Sequence, residues 1–112
     1  MKRIKIFLML ISAAFVVSCE STTYDQISIP STNPTYTINV GPVIKANCSG
    51  CHSGGSQFPD LGNYAQVKEA AQNGNLLCKI NGTCGSVMPT NGKMSQGTID
   101  MIQLWSSNGY IN

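Results

Sequence analysis

A small all-α domain of about three helices, with one short hairpin, is the fold class this sequence predicts. Three observations point to it. Three segments place apolar residues at helical spacing, no segment sustains strand alternation, and a Cys-x-x-Cys-His motif follows directly on the first helical segment. The domain is assigned to residues 37–112, and its core is meagre for its size. Chains this small commonly need a disulfide, a metal or a bound cofactor to hold together.

The first helix is predicted from about Asn39 or Gly41, with Pro42 tolerated in its opening turn. Val40, Val43, Ile44, Asn47 and Cys48 share one face at spacings of 0, 3, 4, 7 and 8. A second helix is predicted to start at Asn63, a suitable N-cap with Gln66 three residues later, and to carry Tyr64, Val67 and Ala71 on one face. It should stop at Asn73-Gly74, where glycine suits a left-handed C′ position. The third helix begins after Ser95 as N-cap, with Met94 and Ile99 at the two positions of a hydrophobic staple. Ile99, Ile102 and Trp105 line its inner face, and Gly109 ends it. Between the second and third helices, Leu76 to Ser86 can form a hairpin around Ile80-Asn81-Gly82, glycine taking the left-handed position. That register sets Cys78 opposite Cys84, where a disulfide is sterically reasonable; two free thiols are the alternative.

Ahead of the domain, residues 1–18 have the form of an export signal. Lys2, Arg3 and Lys5 precede an apolar run from Ile6 to Val17, about a dozen residues and too short for a comfortable membrane span. The run ends Val16-Val17-Ser18-Cys19, which resembles the lipobox of bacterial lipoproteins, in which the cysteine is lipidated and becomes the first residue. Two or three acyl chains on Cys19 would hold a small domain on a membrane surface. Ordinary signal cleavage beside a chance cysteine, or an uncleaved anchor, is the alternative. Residues 19–36 are rich in Ser, Thr, Asn and Pro and read as a tether, with a root-mean-square span of roughly 20–25 Å if flexible. Packing of this segment along the domain is the other reading, with Ile27 and Ile29 as its apolar contacts. The chain is then expected to be exported and lipid-anchored to a bacterial membrane facing the periplasm. Glu20 is no obvious inner-membrane retention signal, which favours the outer membrane.

The formal charge of +2 includes the three cations of the signal segment. What remains is Lys45, Lys68, Lys79 and Lys93 against Glu20, Asp25, Asp60, Glu69 and Asp100, about −1. No basic patch is present, so nucleic acid is not an expected partner.

Cys48-Ser49-Gly50-Cys51-His52 is the attachment signature of a c-type haem. Each thiol can add across a haem vinyl group, sulfur bonding to one carbon and the proton going to the other. The adjacent imidazole is placed to bind the iron from one face. His52 is the single histidine of the chain, so no other residue could serve as the imidazole ligand.

With these features in sequence order, the chain resembles a small class I-type monohaem cytochrome c of the bacterial lipoprotein kind. The resemblance covers residues 37–112: an amphipathic helix into NCSGCH, a loop FPDLGNY with a middle helix, a V-M-P segment, and a final helix carrying Trp105. It implies one covalent haem c, a small cytochrome c fold wrapped around it, and single-electron transfer rather than enzyme chemistry. It also implies Met88 as the second axial ligand of the iron opposite His52, since Met88-Pro89 stands where the family has its methionine ligand. Met94, better suited to the staple, and Met101, within the last helix, are the other methionines of the domain; if none binds, the iron has an open site. The resemblance further implies a hydrogen bond from His52 to a backbone carbonyl, for which Pro59 is the candidate, and porphyrin packing by Phe58, Leu61, Tyr64 and Trp105. The Cys78–Cys84 bridge is an addition to the basic family pattern and would stiffen the loop that presents Met88.

Redox proteins or a membrane oxidoreductase complex are the partners this implies. A haem sensor or an electron-entry subunit of a larger complex is the alternative. A structural zinc module built from Cys48, Cys51, His52, Cys78 and Cys84 is a rival of another class. The adjacency of Cys51 and His52 and the five residues between Cys78 and Cys84 suit zinc poorly.

Overall fold

Val40, Ile44, Val67, Ile99, Ile102 and Trp105, drawn from all three predicted helices, are at most 1% exposed and form one core with Leu61, Ala70, Ala71, Leu76 and Ile80. The computed structural model describes residues 31–112; the signal segment, Cys19 and most of the tether lie outside the described residues. Helices α1 (Gly41–Asn47), α2 (Tyr64–Gln72), α3 (Leu76–Asn81) and α4 (Gln96–Ser107) follow in order, and no strand occurs among the described residues. The all-α expectation therefore holds, with one more helix than the sequence suggested. No helix among the described residues is long and apolar enough to cross a membrane.

Helix α1 is entered through a π-helical turn, Tyr36–Val40, in which Gly41 N–H reaches back to the Tyr36 carbonyl. A methyl group on Gly41 would stand 2.9 Å from that same oxygen, so glycine is what allows the tight junction. The Thr35 side chain caps the turn by accepting from Ile38 N–H. Pro34 is fully buried and Asn33 accepts from Asn108, so the end of the segment assigned to the tether is packed onto α4.

Two caps follow the sequence closely. Asn63 accepts from Gln66 N–H at the start of α2, and Ser95 from Thr98 N–H at the start of α4. The Gln66 side chain accepts from Gly62 N–H. At the other end of α2, Gly74 does not take the left-handed conformation predicted for it. Asn73 ends the helix in a right-handed conformation, and a side chain on Gly74 would meet the Ala70 carbonyl at 2.8 Å. Close approach, not positive φ, is the reason for glycine there.

The predicted hairpin is instead the short helix α3. Gly82 has the expected left-handed conformation (φ 75°), but as the residue that ends a helix, its N–H donating to the Cys78 and Lys79 carbonyls. A left-handed glycine serves a hairpin loop and a helix C-terminus equally, and burial of Leu76 and Ile80, one turn apart, decides for the helix. The pairing of Cys78 with Cys84 survives this change. Their sulfurs lie at disulfide-bond distance with Cα atoms 5.5 Å apart, because the chain doubles back directly after Gly82.

The C-terminal tail closes the molecule. Gly109 and Tyr110 both adopt positive φ and turn the chain back after α4. The Ile111 carbonyl then accepts from Tyr36 N–H and from Trp105 Nε1, both at 2.8 Å. Tyr64 Oη donates to the Tyr110 carbonyl, and the rings of Tyr36, Tyr64, Trp105 and Tyr110 pack in edge-on or tilted pairs around this junction.

Candidate haem-attachment site

Helix α1 runs out at the motif, and its last bonds shape the motif. Cys48 and Ser49 N–H both donate to the Ile44 carbonyl, and Cys51 and His52 N–H both donate to the Cys48 carbonyl at 3.1 and 2.9 Å. Cys48, Cys51 and His52 thus share one tight turn. Both cysteines are free thiols. They differ in setting: Cys51 is exposed, whereas Cys48 is half-buried against the core, and burial pushes its thiol above the ordinary cysteine value.

His52 is fixed by the loop that follows it. The Leu61 N–H donates to the His52 carbonyl at 2.6 Å and closes the base of the loop. Inside, His52 Nδ1 lies 2.9 Å from the Pro59 carbonyl oxygen. A carbonyl can only accept, so Nδ1 carries a proton, and in the neutral ring this leaves the Nε2 lone pair for a metal. The expected imidazole–Pro59 contact is present.

Several residues that shape this loop were not singled out in the sequence. Gly54 and Gly55 stand side by side in the left-handed region (φ 63° and 76°). Asp60 accepts from Gly55 N–H at 3.0 Å, and Ser56 Oγ donates to the Cys51 carbonyl at 2.8 Å. Ser49 Oγ reaches the Leu61 carbonyl at 3.1 Å and Ser53 Oγ the Ser49 carbonyl at 2.7 Å. A Gly-Gly pair directly after a motif is a legible sign of a sharply turning loop.

Of the expected packing residues, Leu61, Tyr64 and Trp105 belong to or pack on the one core cluster and Phe58 does not. Phe58 is 84% exposed beside the His52 loop. Leu61 is buried in the core and Tyr64 is half-buried. Trp105 is wholly enclosed by protein, its indole N–H bound to the Ile111 carbonyl.

Met88 lies half-buried in the segment between α3 and α4, its N–H donating to the Lys79 carbonyl at 3.0 Å. The Phe58-Pro59 and Met88-Pro89 peptide bonds are both cis. Met94 and Met101 pack against the hydrophobic core, and Met88 is not among the side chains that do so. Of the three thioethers, the Met88 sulfur is the one the core does not engage. Cys78 and Cys84 are bound to each other, and among the described residues no three His, Cys, Asp or Glu side chains converge as a metal site. The five residues weighed as zinc donors are therefore not brought together.

Comparison of the chain with protein-family models, with known proteins and with solved structures gives no match.

Proposed function

We propose that this chain carries one covalent haem c and passes single electrons between redox partners, with no substrate chemistry of its own. The observation that carries this reading is the Cys48–His52 turn: two unpaired thiols beside an imidazole whose Nδ1 is tied to Pro59 and whose Nε2 is free. The donor set fits the group. Cys48 and Cys51 would hold it through thioethers, His52 Nε2 would bind the iron, and Met88 offers the one thioether not taken up by the core. When bound, the haem supplies a one-electron iron couple.

The chain's own residues do the rest. The Pro59 carbonyl holds the imidazole in one tautomer and raises its basicity as a ligand. The Met88 sulfur would favour the ferrous state, and iron held by both His52 and Met88 would have no place for a substrate. The proposed partners are redox proteins or a membrane oxidoreductase complex, met near a membrane to which Cys19 is anchored by lipid, with the domain in the periplasm.

The optical spectrum of the domain, matured in a host able to attach c-type haem, tests this. A covalent low-spin spectrum, with the weak ferric charge-transfer band of methionine sulfur lost in Met88→Ala, is the expected result. A high-spin spectrum with ready carbon monoxide binding would shift the assignment to a haem sensor. Absence of covalent haem would overturn it.

A further inference from the structure

The segment from Thr83 to Met94 contains no helix or strand, yet it bears Met88. Its far end is held by Met94 against the core, and its first half by the end of α3. Thr83 N–H donates to the Cys78 carbonyl, and Gly82 and Met88 N–H both donate to the Lys79 carbonyl. Val87 covers Gly82, where a Cβ atom would lie 3.6 Å away. Thr83, Gly85 and Ser86 are exposed, and Met88 does not pack on the core. These contacts are few, and each is individually weak. The Cys78–Cys84 bond is the one covalent hold, and it joins α3 to the loop four residues before Met88.

We propose that the Cys78–Cys84 pair is a thiol-controlled clamp on the Met88 loop: closed, it presents Met88 as a ligand, and opened, it withdraws Met88 and leaves the second axial position free. This rests on the covalent-haem reading above and concerns only that second position. Both cysteines are half-buried, and Cys84 stands between exposed Thr83 and Gly85, within reach of a small dithiol or of a dithiol oxidoreductase. One thiolate of the dithiol attacks a sulfur of the pair and the S–S bond breaks. The second thiol of the dithiol then resolves the mixed disulfide. Two electrons and two protons pass to Cys78 and Cys84, and the dithiol leaves as a disulfide. The freed Cys78 stays on its helix, its sulfur 3.3 Å from the Asn75 carbonyl, an acceptor already in place for S–H. Cys84 is released with the loop. The domain would then be a closed electron carrier in an oxidising compartment and an open-site haem protein where dithiols act.

The test uses the matured, haem-loaded chain with its iron held ferrous by ascorbate, which spares the disulfide. The pair is opened with a water-soluble phosphine, release of both thiols is titrated, and carbon monoxide binding is followed optically. The expected result is at least a tenfold gain in carbon monoxide affinity, approaching that of Met88→Ala, and reversed on reoxidation. In the haem-free chain, amide exchange at Met88 should speed up at least tenfold on opening, while exchange at Ile102 in α4 stays unchanged. Cys78→Ser/Cys84→Ser should match the phosphine-treated protein. If that variant fails to mature, the phosphine treatment of the wild-type chain still decides. Carbon monoxide still excluded, with both thiols released, would overturn the clamp and leave the carrier intact. No covalent haem in the wild-type chain would overturn both.

Discussion

His52 Nδ1 and the carbonyl oxygen of Pro59 lie 2.9 Å apart across a loop whose base is closed by the His52 carbonyl and Leu61 N–H. The imidazole is therefore oriented by the loop that begins at the histidine itself. A backbone carbonyl cannot be deleted by substitution, but the loop that places it can be loosened.

Gly54→Ala and Gly55→Ala are each expected to lower the stability of the haem-free domain by about 1–2 kcal/mol, the backbone cost of a left-handed L-residue. Neither added methyl meets any atom within 4 Å, so sterics do not contribute. Gly55→Asn, which tolerates that conformation, should recover most of the loss in urea unfolding. Nitrogen-15 shifts of His52 should move toward those of a free imidazole in the alanine variants and stay near wild type in the asparagine variant.

Two glycines should respond with opposite signs. A methyl on Gly41 would stand 2.9 Å from the backbone oxygen of Tyr36, which cannot swing away, whereas one on Gly97 in α4 meets nothing within 4 Å. Gly41→Ala is expected to cost about 1–3 kcal/mol. Gly97→Ala should stabilise by about 0.5–1 kcal/mol through the unfolded chain. Thermal unfolding of both variants checks the pair, and equal signs would contradict the packing described at the π turn.

The aromatic junction carries a third expectation. Trp105 is fully enclosed, so Trp105→Ala should cost about 3–5 kcal/mol. Tyr64→Phe keeps the ring against Tyr36 and removes only the bond to the Tyr110 carbonyl, for a loss of about 1 kcal/mol. Urea midpoints of the two variants measure the difference.

Alkaline pH gives a fourth. Burial raises the Cys48 thiol and the Tyr36 phenol above their ordinary values, so the folded haem-free chain holds these protons more tightly than the unfolded chain. Stability from both groups is fully present below the ordinary cysteine value and falls as pH rises through it and onward through the tyrosine range. Cys48→Ser should flatten the first part of that decline and Tyr36→Phe the second. At pH 8, a thiol reagent should modify exposed Cys51 before Cys48, as read by peptide mass.

The helices that were legible in the sequence are those with a side-chain cap and a repeated apolar face. Asn63 and Ser95 cap as read, and Val67, Ala71, Ile99, Ile102 and Trp105 are buried as their spacing implied. Helix α3 was not legible because Asn75 makes no side-chain cap and six residues show only one apolar repeat, Leu76 to Ile80. The π turn depends on a bond five residues long between Tyr36 and Gly41, which no side-chain pattern encodes. At the candidate site the motif was readable from residue order, and the Pro59 contact was an expectation of the resemblance alone. The roles of Asp60, Ser49 and Ser56 were not readable, since each binds backbone across a loop whose path is known only once it is folded.

The Ile111 carbonyl, shared by Tyr36 N–H and Trp105 Nε1, joins the first and last packed stretches of the chain. A pull applied from the N-terminal side is therefore borne in shear by the Tyr36–Ile111 and Asn33–Asn108 contacts and passed into α4. The turn from Cys48 to His52 lies past that anchorage along the chain, at the far end of α1.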